Sequence, residues 1–77
     1  MNLEKYNAAF TETFDVTESD LKELEYQSIK AWDSVGHIAL IAALEETFDI
    51  MMDTEDIIDF SSYEKGKEIM AKYEVEM

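Results

Sequence analysis

The residues with the clearest chemical potential lie in one short segment, from Trp32 to His37. Within it, Ser34 stands where a long connection ends and an apolar helix is predicted to begin, which is the position where serine is favoured as a helix cap. The unpaired backbone N–H groups and the positive end of the helix dipole would favour a phosphate group on its hydroxyl oxygen. Modification and simple capping are therefore the two interpretations of Ser34.

A nucleophile–base pair is a further chemistry that this segment suggests. His37 follows Ser34 by three residues, a spacing that brings side chains together on a helix, and Asp33 is adjacent. However, the chain has a single histidine, no evident oxyanion hole and only 77 residues. We therefore expect that the protein is not an enzyme, and that His37 is a polar residue packed near Trp32, with contact to a phosphate on Ser34 as a second role.

Acidic residues crowd the segment from Asp49 to Asp59, which raises the question of a metal site. Their spacing lacks the central glycine and the terminal glutamate of a calcium-binding loop. The chain has no cysteine to supply thiolate ligands. No metal site is predicted for these residues, which are Asp49, Asp53, Glu55, Asp56 and Asp59.

The composition limits the class of protein. With 77 residues the chain is predicted to form a single domain, residues 1–77, with a small core. Its net charge of −13 at pH 7 repels nucleic acids and anionic membranes and favours basic protein partners and a monomeric state. The first 15 residues do not resemble a signal peptide, and the apolar run Ile38–Leu44 is far shorter than the ~20 residues that span a bilayer. A cytoplasmic location is expected.

Helical periodicity dominates the chain. A first helix is predicted to place four apolar residues on one face: Leu3, Tyr6, Phe10 and Phe14. A long connection follows, in which Thr17 and Asp20 resemble a capping box for a short helical turn. The residues expected to hold this connection on the core are Leu21, Leu24, Ile29 and Trp32.

Two further main helices and a short one complete the prediction. The second helix should run from about Ser34 to Phe48, and the last from a capping box at Ser61 to about Tyr73. The inner face of the last helix would contain Tyr63, Gly66, Met70 and Tyr73. A short helix between them would carry Ile57, Ile58 and Phe60. The fold class predicted is an all-α, small four-helix bundle with a long loop after helix one.

The second helix has an outward face of small apolar residues. Its inner side would be formed by Leu40, Ile41, Leu44 and Phe48, with Ile38 at the edge, and its opposite side by Val35, Ala39, Ala42, Ala43 and Glu46. Such a face suits close approach by another protein, with Glu45, Glu46 and Asp49 available to basic residues. The alternative is that these alanines only favour helix formation.

The sequence resembles the acyl carrier proteins over nearly the whole chain. Their Asp-Ser-Leu-type motif is matched here by Asp33-Ser34-Val35, and their Ala-Leu-Glu-Glu-x-Phe-x-Ile stretch by the run from Ala43 to Ile50 at the expected distance. The similarity continues through Glu55-Asp56 and Ser61-Ser62. The front third matches in pattern more than in residues.

This resemblance implies a cofactor and partners. It makes Ser34 the attachment site of 4′-phosphopantetheine, delivered from coenzyme A by a phosphopantetheinyl transferase, with Asp33 helping the transferase and its Mg²⁺ to engage the carrier. Glu45 and Glu46 match acidic positions that acyl-loading and acyl-transferring enzymes recognise. The five methionines, with Met51, Met52 and Met70 as inner candidates, would suit a core that parts to shelter an acyl chain. The alternative is that they only fill the core.

Two departures from the family pattern bear on the pathway. Gly36 and Ala39 replace acids that are common in carriers of bacterial fatty acid synthesis, and Ala42 replaces a larger apolar residue. They favour a specialised carrier, for example in lipid, polysaccharide or polyketide-type assembly, over one that serves the general fatty acid synthase. The alternative from a different class is an acidic helical interaction module in which Ser34 is never modified.

Overall fold

The computed structural model describes all 77 residues and contains four α-helices and one 3₁₀ helix. The α-helices are α1 (Asn2–Phe14), α2 (Ser34–Phe48), α3 (Thr54–Asp59) and α4 (Tyr63–Ala71), and the 3₁₀ helix is Glu18–Glu23. The prediction of an all-α bundle with a long connection after the first helix is confirmed. No helix is both long enough and apolar enough to cross a membrane.

The helix ends follow local capping chemistry. The capping box of Thr17 and Asp20 is present at the 3₁₀ helix, as predicted. At α4 the predicted cap is wrong by one residue, because the side chain of Ser62, not Ser61, accepts the hydrogen bond from the backbone of Lys65. That helix also ends at Ala71, before Tyr73. A serine can cap only where its own backbone is extended, and two adjacent serines leave that choice to the tertiary structure.

An aromatic cluster forms the centre of the core. Phe10 is fully buried, and its ring centroid lies between 5.0 and 6.2 Å from those of five other aromatic side chains. These are Tyr6, Phe14, Trp32, Phe60 and Tyr63. The face predicted for α1 is thus the buried one, with Leu3 half-buried at its edge.

The long connection is ordered by backbone pairing and by its apolar side chains. Leu21, Leu24 and Trp32 are buried, as predicted, and Ile29 is half-buried. The Tyr26 N–H donates to the carbonyl of Ser61, and the Tyr63 N–H donates to the carbonyl of Leu24. This short antiparallel bridge holds the connection against the start of α4 and brings its end, with Ser34, close to α3.

Three residues that were predicted to face the core do so only in part or not at all. Met51 and Ile58 are 86% and 74% exposed, whereas Met52 and Met70 are buried. Ile57 and Ile58 are adjacent on a helix of six residues, so only one of them can turn towards the core. Tyr73 is half-buried, and its hydroxyl forms a polar contact instead of packing in the core.

That polar contact belongs to a clasp between α3 and the end of α4. Asp56 is buried, and its carboxylate accepts hydrogen bonds from the Lys72 ammonium and the Tyr73 hydroxyl. The Tyr73 hydroxyl in turn accepts from the backbone N–H of Asp53 at 2.9 Å. The hydrogen bonds from Lys72 and Tyr73 hold the pKa of Asp56 below its ordinary value, and the bond to Asp56 raises the pKa of Lys72.

We expect Asp56→Asn to destabilise the fold at neutral pH and to remove part of its acid sensitivity. Because the pKa of Asp56 is lower in the folded protein, the clasp stabilises the fold above the ordinary carboxyl pKa and is lost as pH falls through the folded value. Urea denaturation should give a lower midpoint for Asp56→Asn than for wild type at pH 7, and the difference between the two midpoints should shrink as the pH is lowered below the ordinary carboxyl pKa of 3.8. The exposed neighbour Glu55, changed to Gln, is the charge-matched control. An equal midpoint loss for both variants would contradict the clasp.

Candidate functional site

The first turn of α2 is capped by Asp33, and the prediction that Ser34 is the cap is wrong by one residue. The Asp33 carboxylate accepts a hydrogen bond from the Gly36 N–H at 2.8 Å. Ser34 is therefore the first residue of the helix. It is exposed, and the cap leaves its hydroxyl uncommitted. A group attached to this oxygen would lie at the positive end of a 15-residue helix without displacing the cap.

His37 joins two parts of the structure through its two ring nitrogens. The Trp32 indole N–H donates to Nδ1 at 2.9 Å, and Nε2 lies 2.7 Å from the carbonyl oxygen of Ile57 on α3. An indole nitrogen only donates and a carbonyl oxygen only accepts, so the ring is the neutral tautomer with its proton on Nε2. Packing of His37 near Trp32 is confirmed. With both nitrogens engaged, the ring is a neighbour of Ser34 and not its general base.

An apolar cavity of about 390 Å³ opens beside Ser34, between α2 and α3. No carboxylate or ammonium group lines it. Its lining residues are Tyr26, Ser34, His37, Ile38, Ile57, Ile58, Phe60 and Ser61. Several of them were not predicted as site residues from the sequence. The signal in the sequence was the pair Ile57-Ile58, since two neighbouring isoleucines on one short helix cannot both face the core.

The outward face of α2 is largely as the helical wheel predicts. Val35 is 78% exposed, and Ala39 and Ala42 are exposed, but Ala43 is half-buried against the core. Ile38, placed at the inner edge by periodicity, is 62% exposed and extends the apolar surface towards the cavity. An apolar strip thus runs from Ser34 along α2.

The three acidic residues predicted to meet basic partners differ in their surroundings. Glu46 and Asp49 are exposed, and Asp49 ends α2 in the left-handed conformation with φ 53°. Glu45 is half-buried, and its carboxylate accepts a hydrogen bond from the Met52 N–H at 2.9 Å. That bond ties α2 to the segment before α3, so Glu45 has a structural contact that periodicity could not reveal.

The charged residues on α2 and α3 are all acidic. Between Lys30 and Lys65 the sequence has no lysine or arginine but nine aspartates and glutamates. These nine residues account for most of the net charge of −13, and all of α2 and α3 lies within this stretch. The surface around Ser34 therefore attracts basic groups from outside the chain. No three His, Asp or Glu side chains come together in a way that could hold a metal ion.

The fold and the site define a small acidic helical domain with an exposed serine at a helix start, beside an apolar cavity. No protein-family profile, no curated protein and no solved structure matches the chain. The functional interpretation therefore depends on the geometry around Ser34 and on the resemblance in its sequence.

Proposed function

We propose that this chain is a stand-alone acyl carrier protein in which Ser34 is modified with 4′-phosphopantetheine. The observation that carries the proposal is the position of Ser34, exposed at the start of α2 and at the mouth of an apolar cavity. The hydroxyl oxygen would form a bond to the phosphorus of the phosphopantetheine half of coenzyme A. The adenosine bisphosphate half would leave, and the serine proton would pass to the transferase.

The residues around Ser34 fit such a group. The first turn of α2 offers backbone N–H groups to a phosphodiester, and the Asp33 cap keeps that turn in place. The cavity wall formed by Ile38, Ile57 and Ile58 suits an apolar chain. When bound, the group supplies a thiol that holds an acyl chain as a thioester.

The surface of α2 suits brief recognition by enzymes. Val35, Ala39 and Ala42 provide a flat apolar area, with Glu46 and Asp49 beside its far end. An acidic surface speeds association with basic partners without making the complex tight. A carrier must bind each enzyme weakly, because it has to pass from one enzyme to the next. The partners proposed are the transferase and acyl-transferring enzymes of a fatty acid, specialised lipid, polysaccharide or polyketide-type pathway, acting in the cytoplasm.

An acidic interaction module is the second candidate. The observation in its favour is the hydrogen bond from Gly36 to Asp33, which explains the aspartate before Ser34 as an ordinary helix cap. In that case the apolar strip would bind a basic partner directly and Ser34 would remain a free hydroxyl.

Intact mass spectrometry separates the two candidates. The protein is incubated with coenzyme A, Mg²⁺ and a broad-specificity phosphopantetheinyl transferase, and Ser34→Ala is treated in parallel. We expect wild type to gain one phosphopantetheine group and Ser34→Ala to gain none while keeping its helical circular dichroism spectrum. Ser61→Ala is the matched control, because Ser61 is an exposed serine that lines the same cavity. No gain by folded wild type would reject the carrier proposal in favour of the interaction module.

A further inference from the structure

Helix α3 is attached to the rest of the molecule by polar contacts and by one half-buried side chain, Ile57, which packs against the core. It has six residues, and the only one that is fully buried is Asp56. The Asp56 side chain holds it to Lys72 and Tyr73 at the end of α4. The carbonyl of the next residue, Ile57, is held by Nε2 of His37 on α2. Because Ile57 is its one side chain packed against the core, the helix depends on these two polar attachments for much of its position.

The second attachment spans the cavity beside Ser34. One wall of the cavity is α2, with Ser34 and Ile38, and the other is α3, with Ile57 and Ile58. The hydrogen bond of 2.7 Å between His37 and Ile57 connects these two walls directly. The separation of the walls therefore depends on this bond.

We propose that His37 is the specificity-determining residue of the carrier. It sets the length of the acyl chain that the cavity admits. The proposal rests on the carrier function proposed above. By holding α3 to α2, His37 keeps the cavity narrow, so a short acyl chain enters it and a long chain needs α3 to move away. His37 acts on the cargo through the position of α3 and is a positioning residue.

The chemistry of the bond explains why a histidine is suitable. The carbonyl of Ile57 is one of the last carbonyls of α3 and has no partner further along that helix, so it needs an external donor. Trp32 is fully buried, and its indole N–H fixes the imidazole tautomer that presents a proton to this carbonyl. Tyr26 packs edge-on against the imidazole, with 5.5 Å between ring centroids, and limits its rotation.

Two substitutions at position 37 test the role of this bond. His37→Gln supplies an accepting oxygen and a donating nitrogen on one carbon and can preserve both hydrogen bonds, whereas His37→Ala removes them. Tyr63→Phe is the control for lost stability, because it removes a hydrogen bond to Asn7 away from the cavity. His37→Asn, which is one methylene shorter than Gln, replaces His37→Ala if the alanine variant does not fold.

The first measurement needs no attached group. Binding of the neutral apolar dye Nile red to the unmodified proteins reports on the opening of the cavity. In His37→Ala the hydrogen bond to Ile57 is lost. This should raise the fraction of molecules in which α3 has moved away from α2, and with it the dye affinity, about fivefold. His37→Gln and Tyr63→Phe should bind as wild type does. Equal affinity in all four proteins would overturn the proposal.

The second measurement uses the loaded carrier. The transferase moves butanoyl-, octanoyl- or dodecanoyl-phosphopantetheine from the corresponding acyl coenzyme A to Ser34, and adenosine bisphosphate leaves. Cleavage of the resulting thioester by hydroxylamine is followed by intact mass. We expect cleavage of the dodecanoyl thioester to be several-fold slower in His37→Ala than in wild type, with butanoyl unchanged and the Gln variant like wild type. The same chain-length profile in all variants would reject the role of His37. If wild type is not loaded at all, the carrier proposal fails and the dye measurement alone decides on His37.

Discussion

Replacing Phe10 with alanine is expected to lower the free energy of unfolding by about 3–5 kcal/mol. The side chain is fully buried, and its ring contacts the five other aromatic side chains of the central cluster. Removing it leaves a cavity lined by these five rigid rings, which can close the space only by shifting from their packed positions. A domain of this size has a total free energy of unfolding of about 4–12 kcal/mol, so this one change removes a large part of its stability.

Urea denaturation followed by circular dichroism measures the effect. Phe48→Ala is the matched control, since Phe48 is the same residue type but only half-buried at the end of α2. We expect its loss of stability to be less than half that of Phe10→Ala. Equal losses at the two positions would mean that the aromatic cluster is not the centre of the core.

The elements with a strong periodic pattern could be predicted from the sequence. The bounds of α2 agree with those expected, and Tyr6, Phe10 and Phe14 occupy the buried face of α1 because their spacing allows no other common face. The caps at Ser34 and Ser61 were each misplaced by one residue. Pairs such as Asp33-Ser34 and Ser61-Ser62 contain two capable side chains, and only the path of the incoming chain decides which of them bonds to the helix.

The site is harder to predict from the sequence than the helices are. Trp32 and His37 are close in sequence, so their contact could be predicted. The bond from His37 to Ile57 joins residues 20 positions apart on different helices, and no local pattern encodes it. The bond from Glu45 to Met52 arises from the turn after α2. The cavity itself is a product of how α3 is placed, which depends on the contacts of the buried Asp56.

Gly36 differs from the acyl carrier pattern that the sequence resembles, and it also lies at a tightly packed position. Carriers of bacterial fatty acid synthesis commonly have an acid at the matching position, and this chain has no room for a side chain there. A Cβ on Gly36 would overlap the carbonyl oxygen of Ala31 and lie 3.2 Å from Cε1 of Phe14. The close approach of the long connection to α2 thus requires glycine at this position.

We therefore expect Gly36→Ala to destabilise the protein by about 1–3 kcal/mol, although alanine is the better helix former by about 1 kcal/mol. The overlap is with a backbone atom, so relief requires the segment before Trp32 to move away, which weakens the Asp33 cap. Ala39→Gly on the exposed face of the same helix is the converse control and should cost about 1 kcal/mol from helix propensity alone. Urea denaturation followed by Trp32 fluorescence measures both changes. A Gly36→Ala variant more stable than wild type would show that the long connection does not pack on α2 as described.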